Sequence, residues 1–477
     1  MNFFQTLNNK IRKPFFLFLL SMIIMGVFAG NRFVCLATSD TPSDPETRKG
    51  LPIQSNDIPG WPEGPEIGAE AAILMDINTG TILYAKNIHE ELYPASTTKI
   101  MTCLLAVEHA SLDDTVTFTD SAISSVPADG SNIGIDAGEY LSLEECLYGI
   151  MVGSANEVAN AVAEHVSGSV DAFVDLMNEK AASLGCTNTH FANTNGLQDS
   201  NHYTSVYDLA LISSKFFSNE LLCRVGNTPR YHFEPSAGQP DDFYLNNKHK
   251  LISGEISYPG IVGGKTGYTD LARETLVTCA ERDGMKLVCV VFMEESPSQF
   301  TDTVTLFDYG FNNFKTVNIK SEEKSYIPED HSFFSSENDI FVPSGTVLEF
   351  NKSDYIILPQ SASLSDTTST VSYETDSESG ACVINYFYND TPVGKGHVVA
   401  AKADALNNSA DVSSLGHVIY INIKQVLTFI IIAALILIAI IYIVDLISAY
   451  SFGGSREARK RLNRRKKEAR KRNGPRF

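Results

Sequence analysis

The sequence predicts an α+β fold, with helices packed on an antiparallel sheet, a small C-terminal all-β domain and a single C-terminal transmembrane helix. Three observations carry that reading. An opening hairpin pattern is followed by helical periodicity and then by further strands, as in a sheet that joins both ends of a domain. After about residue 316 the helical periodicity stops and short alternating runs take over. Residues 426–444 read VLTFIIIAALILIAIIYIV, without a charge and apolar on every face.

Each element has its own signal. Residues 1–37 resemble a secretory signal peptide. Lys10, Arg12 and Lys13 precede an uncharged apolar run over 15–29, and small-residue cleavage patterns end at Ala29 and Ala37. An uncleaved anchor is the alternative. Residues 38–65, rich in Pro, Asp, Ser, Thr and Glu, form a linker. The first domain spans 66–315. It opens with AAILMDI and TILYAKN around Asn78-Thr79-Gly80, a hairpin with a glycine-containing turn. After Pro94-Ala95-Ser96, apolar residues at 100, 103, 104 and 107 predict a helix. Helical patterns return at 143–167 and 170–184. Strands are expected at 260–263, 274–280 and 286–293, the last two joined by Glu281-Arg282-Asp283-Gly284, and a helix at 301–314. The β-rich domain covers 316–404. A linker over 405–425 leads to the span at 426–444, whose nineteen residues match roughly the 30 Å of a hydrocarbon core at 1.5 Å per residue.

Charge divides the 477-residue chain in the same places. The overall net is −20, from 37 basic and 57 acidic residues. Residues 41–425 hold 21 basic and 53 acidic residues, a net of −32, whereas 456–476 hold twelve Lys/Arg and two Glu, a net of +10. The positive-inside rule then places the tail, 445–477, in the cytoplasm and everything before 426 outside. The basic tail is suited to anionic lipid. A basic segment can also bind nucleic acid, but the adjacent span favours lipid or a topogenic role, so no nucleic-acid partner is expected.

The eight cysteines form no CxxC pair and sit mostly in apolar runs, so unpaired core thiols are expected. No histidine pairs with a second ligand at metal spacing. His165, His190 and His202 are read as structural, and no metal or organic cofactor is called for.

Three short motifs carry the chemistry: Ser96-Thr97-Thr98-Lys99, Ser154-Ala155-Asn156 and Lys265-Thr266-Gly267, separated by 58 and 111 residues. Each alone is weak, since SxxK occurs on solvated helices, SxN at N-caps and KTG in turns. Together they suit acyl transfer. A serine hydroxyl needs a base, and on a helix Lys99 shares a face with Ser96. A lysine serves as base only if burial or another cation lowers its pKa, and Lys265 is that cation. Ser154 offers a proton relay and Asn156 an amide for a substrate carbonyl. KTG leading into strand-like sequence supplies a cation, a hydroxyl and a free backbone edge for an anionic, extended substrate end.

The order matches the SxxK, SxN and KTG set of penicillin-binding proteins and serine β-lactamases. With LYPASTTKIMT, GIMVGSANEVANAVAEHVSGSVDAFVDLMNEKA, LGCTNTHFANTNGL, HYTSVYDLALI and GIVGGKTGYT, residues 66–315 resemble the serine-type D-Ala-D-Ala carboxypeptidases, the low-molecular-mass penicillin-binding proteins of peptidase family S11. The resemblance implies a transpeptidase-like fold shared with serine β-lactamases. It implies removal of the terminal D-alanine from peptidoglycan stem pentapeptides, and acylation by penicillins. Ser96 resembles the acylated nucleophile and Lys99 its base. Ser154 and Asn156 resemble the relay and orienting pair. Lys265 and Thr266 resemble the carboxylate-binding residues of the Lys265-Thr266-Gly267 motif. The N–H groups of Ser96 and Tyr268 would form the oxyanion hole.

Three positions depart from the family pattern. Ala155 stands where Gly is frequent, Arg273 where Gly is usual, and Gln299 where many members carry Arg before Phe. No E-x-x-L-N lies between Ser154 and Lys265, which argues against rapid β-lactam turnover, and the exported part lacks room for the extra domain of a cross-linking transpeptidase. A non-catalytic β-lactam sensor or wall-binding adaptor is the remaining alternative. The intact set of reactive side chains and the short tail disfavour it.

Overall fold

The computed structural model describes residues 44–323, 346–373, 380–402 and 460–468. The opening hairpin forms as expected, with β1 at Ala71–Asp76 and β2 at Ile82–Lys86. Two short hairpins lie outside the main sheet: β3 (Thr115–Thr117) with β4 (Tyr140–Ser142), and β5 (Arg230–Phe233) with β6 (Phe243–Asn246). Strands β7 (Ile261–Thr269), β8 (Arg273–Arg282) and β9 (Met285–Glu294) return to complete a five-stranded antiparallel sheet in the order β2-β1-β9-β8-β7. The two ends of the domain therefore meet at the β1–β9 pairing. The third motif lies inside β7 rather than ahead of it, because strand pairing with β8 continues to Thr269.

The six longer helices are α1 (Lys99–His109), α2 (Leu143–Val152), α3 (Asn156–Ser167), α4 (Val170–Ser183), α5 (Val206–Phe217) and α6 (Ser298–Asn313). Two differ from the sequence pattern. A 3-10 turn, Ala95–Thr98, precedes α1, so Ser96 sits in the turn and Lys99 opens the helix. The apolar period over 143–167 is broken at residues 153–155, where Ser154 takes a left-handed φ of 59°. Periodicity sees only which face is apolar, and both helices keep the same inner face across the break. Helix α2 starts at a capping box in which Ser142 and Glu145 exchange bonds, and α3 ends at Gly168 with φ 80°.

The sheet is covered on both faces, which explains why β1 is buried at every position. Ala71, Ile73 and Met75 pack with Ile100, Leu104, Val158 and Phe216 in one core. Ala72 and Leu74 point the other way and pack with Phe300, Leu306 and Phe307 of α6. Burying a large aliphatic or aromatic side chain contributes about 1.5–3 kcal/mol.

Beyond α6 the chain is β-rich, as the alternating runs predict. Strands β10 (Phe314–Asn318), β11 (Thr346–Phe350), β12 (Tyr355–Pro359), β13 (Thr368–Ser372), β14 (Gly380–Tyr388) and β15 (Thr391–Lys402) form an antiparallel sheet ordered β10-β12-β15-β14-β13, with β11 also on β15. It shares a core with the back of α6 and belongs to the same compact unit as the first domain. Trp61 lies 5.0 Å from Phe314 between ring centroids, and the Tyr355 hydroxyl donates to the Asp76 carboxylate. Seven cysteines are free among the described residues, as expected, and burial raises their thiol pKa values. The expected signal peptide over 1–37, the span at 426–444 and Cys35 lie outside the described residues. Among the described residues no helix is long and apolar enough to cross a membrane. Residues 460–468, inside the basic tail, are helical and exposed.

Candidate active site

The three motifs meet in one cavity of about 700 Å³. One wall is helical. The turn before α1 carries Ser96, the first residue of α1 is Lys99, and the break between α2 and α3 carries Ser154 and Asn156. The opposite wall is β7, with Thr266, Gly267 and Tyr268 on the lining and Lys265 buried in the same strand.

Lys99 is fully buried. Its Nζ donates to Ser96 Oγ at 3.1 Å, to Asn156 Oδ1 at 2.6 Å and to the Asn195 carbonyl at 2.6 Å. Burial first, and then the charge of Lys265, push its pKa well below the ordinary lysine value. Lys265, also buried, donates to Ser154 Oγ at 3.1 Å and to the Thr266 carbonyl at 2.7 Å. Burial and then Lys248 lower its pKa to about 7. A lysine whose pKa is lowered by burial and a neighbouring cation is one that can act as a base. The Asn156 side-chain oxygen accepts from Lys99, which leaves its amide N–H groups outside that bond.

The two walls approach closely because glycine permits it. A Cβ on Gly267 would lie 2.8 Å from the Ser96 backbone nitrogen and 2.4 Å from Thr275 Oγ1. The β7 edge therefore runs directly against the turn that carries Ser96, and Ser96 and Tyr268 line the same cavity. Gly196, at φ 85°, has even less room, since a Cβ there would fall on the Ala95 carbonyl. Thr275 Oγ1 donates to the Pro94 carbonyl at 2.9 Å and fastens the turn to β8.

Sequence reasoning missed the support of that turn. The Ala192 N–H donates to His202 Nδ1 at 3.0 Å, so the other ring nitrogen carries the proton and donates to Thr98 Oγ1 at 2.8 Å. Thr98 in turn donates to the Ala95 carbonyl at 2.8 Å. Burial lowers the His202 pKa to about 3, so this relay stays neutral. His165 meets Asp114, and His190 meets the Asn201 carbonyl. Among the described residues no cluster of metal ligands occurs. Arg273, where glycine was expected, does adopt φ 54°. Its guanidinium is held by both Glu295 carboxylate oxygens and by the Tyr268 hydroxyl at 3.3 Å.

Comparison with known proteins agrees with this geometry. Residues 60–296 match peptidase family S11, described as D-alanyl-D-alanine carboxypeptidase. The chain is 31% identical over 256 residues to D-alanyl-D-alanine carboxypeptidase DacB2 of Mycobacterium tuberculosis, covering 52% of this chain and 84% of that protein. The chain belongs to the D-alanyl-D-alanine carboxypeptidase family S11. It is 36% identical over 254 residues to D-alanyl-D-alanine carboxypeptidase DacF of Bacillus subtilis, where the match covers 52% of this chain and 63% of the relative. Penicillin binding protein 5 of Haemophilus influenzae shares the fold, with a TM-score of 0.57 and 24% identity over 71% of this chain and 98% of that one.

Proposed function

We propose that this S11 chain is a serine-type D-alanyl-D-alanine carboxypeptidase that releases the terminal D-alanine of peptidoglycan stem peptides and is acylated by penicillins. The observation that carries the reading is the convergence of two buried lysine–serine pairs, Lys99 with Ser96 and Lys265 with Ser154, on one cavity. Neutral Lys99 takes the Ser96 proton as Oγ bonds to the scissile carbonyl carbon. The N–H groups of Ser96 and Tyr268 hold the oxyanion. Collapse breaks the C–N bond, and the proton held by Lys99 passes through Ser154 to the departing D-alanine amine, which leaves both side chains as they began. Water then hydrolyses the acyl-enzyme. Asn156 orients the substrate amide, and Lys265 with Thr266 receives the terminal carboxylate.

The catalytic region works outside the cytoplasm in this proposal. Its support is the apolar run at 426–444 followed by the basic tail.

The test is fluorescent-penicillin labelling of the full chain together with D-alanine release from a pentapeptide ending in D-Ala-D-Ala. Ser96→Ala is expected to abolish labelling and to cut release by a factor on the order of 10⁴ or more. Labelling that survives in Ser96→Ala overturns the nucleophile assignment. Labelling without release in the unaltered chain overturns the hydrolytic one.

A further inference from the structure

The motifs assign the bound carboxylate to buried Lys265 and to Thr266, and they leave open which cation meets it at the cavity mouth. Lys265 is buried and already donates to Ser154 and to the Thr266 carbonyl. At position 299, where an arginine would add a second charge, the chain has glutamine. Gln299 lines the cavity, is 3% exposed, and its Oε1 has no hydrogen-bond partner. A carboxamide contributes a neutral hydrogen bond and no field. The cavity is also lined by Asp129, Asp270 and Glu274, which repel an anion.

Two further lysines line the cavity, Lys248 and Lys250. Lys250 is paired with Glu255 at 3.5 Å. Lys248 is exposed and makes no ion pair among the described residues. Its backbone is nevertheless pinned on both sides. Asn247 donates from its side chain to the Thr228 carbonyl at 3.0 Å and from its N–H to the Pro229 carbonyl at 2.8 Å. His249 is fully buried, with Nε2 2.8 Å from Thr278 Oγ1 on β8. An exposed ammonium on a fixed backbone beside the Lys265 strand is a placed charge. It is also sensed inside the site, since it lowers the pKa of both Lys265 and Lys99.

We propose that Lys248 is a specificity-determining residue that attracts and holds the substrate's terminal carboxylate from the cavity rim, with Gln299 as a neutral wall. The inference rests on the carboxypeptidase reading. A rim charge differs from a buried one in being screened by salt. Binding of a peptide ending in a free carboxylate should therefore weaken as ionic strength rises, while a peptide with a terminal carboxamide is indifferent.

The experiment measures kcat and KM of the full chain on a D-Ala-D-Ala peptide and on its terminal carboxamide, at low and high salt. Lys248→Gln is expected to raise KM for the carboxylate peptide about fivefold at low salt, with little change in kcat. The same variant should remove the salt dependence and treat the carboxamide as the unaltered chain does. Lys248→Arg should restore both properties, and Gln299→Arg placed in the Lys248→Gln background should restore the low KM. Equal effects on the two peptides, or a salt dependence that persists in Lys248→Gln, overturn the inference. An unaltered chain that releases no D-alanine overturns the carboxypeptidase reading itself, which is a different result.

Discussion

Two regions around the cavity are built on opposite plans. On the helical wall almost every polar atom is bound within the protein: Lys99 donates three times, and His202 and Thr98 form a closed relay to the Ala95 carbonyl. Elsewhere around the cavity polar groups are left over. The acceptor oxygen Oε1 of Gln299, on α6, is orphaned, and exposed Lys248 has no counter-ion among the described residues. Under the proposed function, Lys99 and Ser96, which transfer protons, are the groups held rigidly, as a near-attack geometry requires. Lys248, proposed to meet the ligand, is short of partners, so that the ligand can supply one.

Three changes would break or sharpen that contrast. The largest effect is expected from Lys265→Gln, which joins both walls. It removes the cation proposed to bind the carboxylate and the charge that, after burial, depresses Lys99. D-alanine release should fall by a factor on the order of 10³. The acidic limb of the pH–kcat/KM profile should also move to higher pH, because Lys99 without a neighbouring cation keeps its proton longer. In the unaltered chain Lys265 loses its proton around its pKa of about 7, so KM for a free-carboxylate peptide should rise above that pH. A profile unchanged in Lys265→Gln would mean that the two amines do not communicate.

A smaller loss is expected from Gly267→Ala. The added methyl must displace Thr275 Oγ1 or the Ser96 backbone, and separating the walls by a fraction of an ångström should slow penicillin acylation on the order of 10²-fold. Unchanged acylation would show that the walls can part without cost. The smallest effect is expected from Arg273→Gly. Glycine relieves a left-handed φ that costs about 1 kcal/mol, while the partly exposed pairing with Glu295 is lost at about 1 kcal/mol or less. Thermal stability should stay within about 1 kcal/mol, and any change in acylation rate would report on the Tyr268 hydroxyl that Arg273 contacts.

Much of this was legible before the structure. The three-residue step from Ser96 to Lys99, the hairpin at residues 71–86 and the strands flanking Asp283-Gly284 are local patterns, and local patterns are visible in local sequence. The break at Ser154 was not legible, because apolar spacing continues through it. Nor was the partnership of Thr98 with His202, which lie 104 residues apart and meet only when the loop at 192–197 folds over the turn. The orphaned oxygen of Gln299 and the pinned backbone of Lys248 depend on packing from every side, which no spacing rule encodes.

The glycine contacts around the nucleophile turn have a temporal consequence. Residues 94–98 are clamped by Gly196, Gly267 and Thr275, so the turn is shaped by chain that is synthesised up to 181 residues later. A nascent or truncated polypeptide ending before β7 carries the serine and its lysine in sequence but has no second wall to press them together. Under the proposed function, the site is complete only once the last strands have joined the sheet.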